Sequence, residues 1–308
     1  LCYHLLPYRQ SLSYVLHDPV YFLKAEDGNR YLVRSRGLGD FYKKQALFRH
    51  IEPYLDRLGE LAGGHLDECA RLADRHTPVL HQRDKFGRDV QTIEYHPAYR
   101  EIEKAAFGEF GIHALSIRKG IMGWPDKYPV VAKHAFTFLF NQTEFGMGCP
   151  INVTDGCAKL LNNFGSEALK AQYLDGLTQT DMSRLTQGGQ FMTEKEGGSD
   201  VGTLTTRAVQ EGDHWRLYGE KWFCSNADAK VVMLLARPEG AGPGTKGVGL
   251  FLMPRFLDDG SPNHYRIVRL KDKPGTRARA SGESQFHGAN AHAGRLALTH
   301  ICRSPPPA

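Results

Sequence analysis

The chain has no apolar run approaching the roughly 18–20 residues that a membrane helix needs. Its longest candidates, 130–140 and 231–236, are interrupted by Lys133 and His134 or are far too short. Residues 1–16 mix polar and apolar side chains and hold no signal-peptide core. Cysteine is sparse: six, at 2, 69, 149, 157, 224 and 302, with no Cys-x-x-Cys and no His pair to complete a zinc spacing. The expectation is free thiols in a reducing cytoplasm and no bound metal. His76/His81 and His287/His292 are each five apart and do not form His-Glu-x-x-His. No Gly-x-Ser-x-Gly elbow offers a hydrolase nucleophile. Two Asn-x-Thr sequons, at Asn141 and Asn152, read as chance without a secretion signal.

What is present fits a globular protein. The 308 residues suffice for about two domains. Hydrophobic residues make up 41% and charged residues 24%, ordinary values for a packed core with a solvated surface. The net charge of +5 is a modest excess that fits solubility alone, a pyrophosphate-bearing cofactor or a nucleic acid. The basic residues are scattered, however, with no arm or helix stripe, so nucleic acid is weakly supported as a partner and a membrane is not supported. The chain opens on Leu1 rather than Met, which suggests a fragment.

Residues 1–45 carry turn-like stretches and receive no assignment. From 46 the apolar period is helical. Leu55, Leu58, Leu61 and Ala62 recur at three- and four-residue spacing, and Leu66, Cys69, Ala70 and Ala73 continue it past Gly63-Gly64. Residues 84–94 read as a loop or short extended excursion. Further helices are expected at 101–115, at 130–145 as a buried helix with Ala135, Phe136, Leu139 and Phe140 as its core residues, at 156–164 with Asp155 as N-cap, and from Ser166-Glu167 to Leu174. Near 186 the period changes to two. Glu211-Gly212-Asp213 marks a hairpin turn, and strands are expected at 205–210, 214–218, 231–236, 248–253, around Tyr265–Val268 and at 286–289. Gly242-Pro243-Gly244-Thr245-Lys246-Gly247 fits Gly-x-Gly-x-x-Gly, but a strand follows it rather than a helix, so it reads as a hairpin loop. The fold class expected is multi-domain α and β: an α-helical domain over 46–186, an antiparallel β-barrel or sandwich over 187–290, and an irregular Pro-rich tail over 291–308.

The most informative stretch is 190–200. Gln190, Phe191 and Met192 lead into Thr193, Glu194, Lys195 and Glu196, then Gly197, Gly198, Ser199 and Asp200. Paired glycines allow φ > 0 and close approach of a ligand to the backbone, and consecutive N–H groups in such a turn form an anion-binding nest. Thr193 and Ser199 add hydroxyls. The residues alone leave two readings open: a loop that holds a phosphate-bearing or carbonyl-rich cofactor, or a polar turn that closes a strand.

The order of residues resembles the acyl-CoA dehydrogenase flavoproteins. Thr193–Asp200 resembles their Thr-Glu-x-x-x-Gly-Ser-Asp segment. Gly219-Glu220-Lys221-Trp222-Phe223-Cys224-Ser225-Asn226 is similar to Gly-x-Lys-x-Trp-Ile-Thr-Asn, with Phe223 for the Trp and Ser225 for the Thr. Lys273-Pro274-Gly275-Thr276-Arg277 is similar to Lys-x-Gly-x-Arg, and Gly165-Ser166-Glu167 with Tyr173-Leu174 resembles the helix before the flavin domain. Within the family, Phe-Met-Thr-Glu-x-x-Gly-Gly-Ser-Asp-Val resembles the AidB-like, alkylation-response branch.

The resemblance implies FAD as cofactor, an acyl-CoA-like small molecule as partner, and a homo-oligomer in the full-length form. The implied activity is oxidation at the CH–CH bond of an acyl thioester. The implied cofactor-binding residues are Gln190, Phe191, Met192, Thr193, Glu194, Lys195, Glu196, Gly197, Gly198, Ser199, Phe223, Cys224 and Ser225. Thr193 is expected at the pyrimidine edge, Ser199 near the pyrophosphate or CoA, and Phe223 and Ser225 beside the ring system. The family's proton-abstracting Glu belongs to a C-terminal four-helix domain that is expected to be absent, so no catalytic residue is assigned and the chain by itself is expected to be inactive. Two alternatives accompany this reading: a nucleic-acid-associated flavoprotein with little or no turnover, and a non-functional fragment.

Overall fold

A computed structural model describes residues 38–293, with side chains from 45 onward. The unassigned start and the Pro-rich tail lie outside these residues, apart from their inner edges. Helices α1 (Leu38–Ala62) and α2 (His65–Arg75) are separated only by Gly63-Gly64. Leu47, Ile51, Leu55 and Leu58 form one buried stripe, which takes in Leu55 and Leu58 of the expected set and leaves Leu61 and Ala62 half-buried; α2 buries Leu66, Cys69, Ala70 and Ala73, as the spacing predicts.

The segment 84–94, read as a loop or short extended excursion, is the turn and second strand of a hairpin of β1 (Val79–Arg83) and β2 (Asp89–Glu94). Only Ile93 of its strands is fully buried, which is why its apolar signal was weak. Helix α3 (Pro97–Glu103) continues as a wider π turn over Lys104–Glu109. It therefore starts before the expected 101 and stops short of 115. The stop is set at Gly111, with φ +53, where a Cβ would lie 2.8 Å from Thr180.

Helix α4 (Val130–Asn141) is one-sided rather than buried: Ala132, Phe136 and Phe140 face the core, while Val130, Val131 and Phe138 are exposed. Helix α5 (Phe145–Phe164) begins well before the expected 156. Its N-cap is Glu144, whose carboxylate accepts the N–H groups of Gly146 and Met147. Asp155 lies inside this helix, buried and paired with Lys133 of α4 and Lys159 one turn on. Helix α6 (Glu167–Leu177) is capped by Ser166, as expected.

The period-two region is a closed, mixed sheet. Its strands are β3 (Gly188–Phe191), β4 (Arg207–Glu211), β5 (His214–Ser225), β6 (Val231–Pro238), β7 (Gly249–Pro254), β8 (Tyr265–Leu270) and β9 (Ser281–Ala293). Pairings β5–β4, β4–β6, β6–β7, β7–β9 and β9–β5 complete a ring, with β8 outside on β9. The expectation of a purely antiparallel sheet is corrected: β3 and β4 both run parallel to β6. The cause is topological. Strands β5 and β6 run in opposite directions and straddle one slot. That slot is filled by β3, which pairs with Val231–Leu234, and further along by β4, which pairs with Arg237 and Pro238. Any strand between two opposed neighbours is parallel to one of them. Alternation of side chains is the same in both pairings, so the sequence pattern could not tell them apart.

Phe191, Trp215, Leu217, Leu234, Phe251 and Phe286 fill the barrel. Helix α5 covers its outer face, packing Cys157, Ala158 and Leu161 on Val231, Met233 and Leu252. Contact is close at β3: Gly188 N–H donates to Thr154 Oγ1 at 3.0 Å, and a Cβ on Gly188 would sit 2.8 Å from Cys157.

Candidate cofactor site

Strands β3 and β4 are two halves of one strand position, and residues 192–206 leave it and return. The stretch 190–200 is the outgoing limb of that excursion. Its neck is closed by Glu194. The carboxylate of Glu194 accepts from Thr205 N at 2.6 Å and Thr205 Oγ1 at 2.8 Å, and from both the N–H and the hydroxyl of Thr206. Lys221 Nζ of β5 adds a bond at 2.7 Å, and also donates to Met192 O at 3.2 Å. Both charged side chains are essentially inaccessible. Burial pushes the Glu194 pKa up, but Lys221, Thr206 and Thr205 outweigh it and hold the group down at about 2. It is an ionised clip, fully engaged, and is unsuited to taking a proton.

The clip brings the two motif segments together. Gln190 is in register with Ser225, and Trp222 N–H donates to Thr193 O at 2.9 Å. Opposite β9, strand β5 carries one extra residue between Lys221 and Cys224. Such a bulge re-aims side chains. Here it turns Phe223 outward, 51% exposed, while Cys224 stays in the barrel core. Lys271 lies over the rings of both Trp222, at 3.5 Å, and Phe223, at 4.5 Å.

The thirteen residues named from the sequence therefore fall into groups. Gln190, Met192, Thr193, Phe223 and Ser225 are partly or well exposed along the meeting of β3 and β5. Gln190 reaches over α5, where a Cβ on Gly156 would be 2.3 Å from its Nε2. Phe191 and Cys224 point into the barrel core, so they present only backbone to the wall. Burial pushes the Cys224 thiol up to about 12. Lys195 and Glu196 are exposed, and Lys195 pairs with Glu220 at 2.7 Å.

Gly197 and Gly198 do not form the expected nest, because neither has a positive φ. They serve close approach. A Cβ on Gly197 would lie 2.5 Å from Thr203 Oγ1 and 2.7 Å from the Asp200 carbonyl; one on Gly198 would lie 3.0 Å from Thr193. Ser199 is exposed beside them.

Thr205, Thr206 and Arg237 were not singled out from the sequence. Arg237 donates through Nη2 to Gly202 O at 2.8 Å and through Nη1 to the carbonyls of Gly242 and Gly244. It pins the return limb to the glycine-rich loop, which joins β6 to β7 as a hairpin connection and ends in a single 3-10 turn, Thr245–Gly247, before β7. Nothing local in the sequence marks it. Lys221 stood inside a quoted motif, but its partner is 27 residues away.

Comparison with known proteins bears directly on this arrangement. The model described as the adaptive response protein AidB N-terminal domain matches residues 36–183, and the acyl-CoA dehydrogenase middle domain matches residues 189–289. AidB of Escherichia coli is 34% identical over 231 residues, covering 72% of this chain and 41% of that protein. Acyl-CoA dehydrogenase family member 11 of Caenorhabditis elegans is 32% identical over 251 residues, covering 79% of this chain and 40% of the relative. The solved structure of C. elegans ACDH-11 in complex with C11-CoA superposes with a TM-score of 0.72 at 28% identity, over 85% of this chain and 45% of that one. The chain thus spans about two fifths of the length of these curated relatives. Two adjoining family models, in the order helical part then barrel, place this chain in the acyl-CoA dehydrogenase family, in its AidB-like branch.

Proposed function

We propose that this chain supplies one wall of an FAD site in an acyl-CoA dehydrogenase-like oxidoreductase, whose whole protein acts on the CH–CH bond of an acyl thioester. The observation that carries the reading is the Glu194–Lys221 clip, which aligns Gln190 and Thr193 with Phe223 and Ser225 on the outside of the barrel beside α5.

The residues present fit the cofactor. The hydroxyls of Thr193, Ser199 and Ser225 and the amide of Gln190 make no side-chain hydrogen bond among the described residues, which leaves donors and acceptors for a polar ring edge and a phosphate. Phe223 offers an apolar face next to them. When bound, the flavin supplies a two-electron acceptor, chemistry that no side chain here can provide. Thr193 and Gln190 orient its polar edge, Ser225 gives a hydroxyl beside the ring, and Ser199 reaches the phosphate side. Phe223 excludes water from that edge. The clip holds these positions without moving a proton, since Glu194 stays ionised. The acyl-CoA substrate class rests on family membership and on the C11-CoA named for the C. elegans neighbour.

The test is an FAD titration of residues 1–308. Thr193→Val with Ser199→Ala is expected to weaken binding by about 0.5–1.5 kcal/mol per lost hydrogen bond, or up to about 3 where a charged oxygen is involved. The control pair Glu239→Ala with Lys246→Ala, in the β6–β7 connection, leaves it unchanged. Equal affinity in the first pair and the parent would overturn the assignment.

A further inference from the structure

The loop carrying Lys273-Pro274-Gly275-Thr276-Arg277 has no role in the flavin reading. It connects β8 to β9 and, with Thr77 and Pro78 ahead of β1, encloses a cavity of about 200 Å³. Lys271, Lys273, Arg277 and Arg279 line that cavity against a single carboxylate, Asp272. Lys271 is already paired with Glu283 at 2.9 Å. Lys273 Nζ donates to Arg279 O at 2.7 Å and to Ser281 Oγ at 3.3 Å, both neutral acceptors. Arg279 Nε is buried with no partner. Arg277 is exposed and makes no side-chain bond or ion pair among the described residues, and neither does Asp272. Glu144, whose field reaches both Arg279 and Lys273, spends its oxygens on the N–H groups of Gly146 and Met147.

Three cations therefore converge on one concave space without a paired counter-charge. Burial first, and the neighbouring Arg279 second, push the Lys273 pKa down to about 8. Like charges held together away from water are unfavourable until an anion joins them. Guanidinium forks and an ammonium suit the oxygens of a phosphate, and a buried donor left unpaired calls for an acceptor.

We propose that this cavity binds a phosphate group, as inorganic phosphate or as the terminal phosphate of a small phosphate monoester, through Arg279, Lys273 and Arg277. Ser281 and Thr77 add hydroxyls at the wall. The site does not depend on the flavin reading. It lies one strand from the flavin wall, since Asn226 N–H donates to Ala280 O at 3.1 Å and Ser281 is in register with Ser225.

The experiment is a calorimetric titration of residues 1–308, without FAD, with inorganic phosphate at fixed ionic strength. Saturable one-site binding is expected. Arg277→Ala and Arg279→Gln should each weaken it about tenfold or more, the scale of a charge-assisted bond. Lys246→Ala, a cation on another loop, should leave it unchanged. The Thr193→Val, Ser199→Ala double variant should also bind phosphate like the parent, which separates this site from the flavin loop. Arg277 is exposed, so its variant keeps the fold even where Arg279→Gln does not. A glycerol phosphate titration then reports whether a monoester is accepted. Unsaturable phosphate uptake, or parental affinity in Arg277→Ala, would overturn the proposal.

Discussion

Glu194→Gln removes the charge that closes the neck of the 192–206 excursion, and its cost follows from the structure in two independent ways. Lys221 is 1% exposed, and after the change only neutral acceptors face it, Met192 O and the amide oxygen of the new side chain. Breaking one partner out of a buried pair typically costs about 3–5 kcal/mol, because the other charge is left uncompensated. Separately, the drop of the Glu194 pKa from an ordinary 4.5 to about 2, at about 1.4 kcal/mol per unit, corresponds to roughly 3.5 kcal/mol. The two agree on about 3–4 kcal/mol. The sign with pH is fixed as well. A carboxylate whose folded pKa is depressed stabilises the fold above its unfolded pKa and loses that contribution as pH falls. The parent's advantage over Glu194→Gln should be full above about pH 5 and should decline between 4.5 and about 2. Urea melts of both proteins at intervals from pH 7 to pH 2.5 measure the difference, and subtracting the variant removes the other carboxylates. Lys221→Met should cost less, because the four Thr205 and Thr206 donors still satisfy Glu194. A difference under 0.5 kcal/mol at pH 7, or parallel curves through the acid range, would refute the clip.

Gly197→Ala places a Cβ 2.7 Å from a backbone carbonyl, so the loop must shift; a loss of about 1–3 kcal/mol in thermal melts and weaker FAD binding are expected. Phe136→Ala, which empties a fully buried site on α4, should cost about 3–5 kcal/mol in the same assay. Cys157 and Cys224 have thiols pushed up to about 12 by burial. Alkylation at pH 8 followed by peptide mapping should label partly exposed Cys149 well before either, and early labelling of Cys157 would mean that α5 lifts off the barrel. Phe223→Ala should leave urea stability within about 0.5 kcal/mol, since the ring is half exposed, while weakening FAD binding.

Local pattern in the sequence was enough for the order of the two parts and for many element faces. Three- and four-residue spacing marked the buried stripes of α1 and α2, and the change of period near 186 precedes β3 at Gly188. Ser166 capped α6 because a hydroxyl beside a helix start acts within three residues. Asp155 misled for the same reason. Its residue type suits a cap, but it lies inside α5, paired with Lys133 on another helix as well as with Lys159 one turn on.

The order of residues also sufficed to identify the motifs at 190–200 and 219–226. What they do to one another was left to tertiary structure. Glu194 meets Thr205 and Thr206 because the chain leaves a strand and returns to it, and meets Lys221 because β5 runs antiparallel beside that strand. The parallel pairing with β6, the outward turn of Phe223 at the bulge, and the Arg237 tie between two loops depend on neighbours brought together across the sheet. Residue type and spacing carry the propensity of a segment and the face it buries. Which buried charge finds which partner is decided only when closure of the barrel sets the distances.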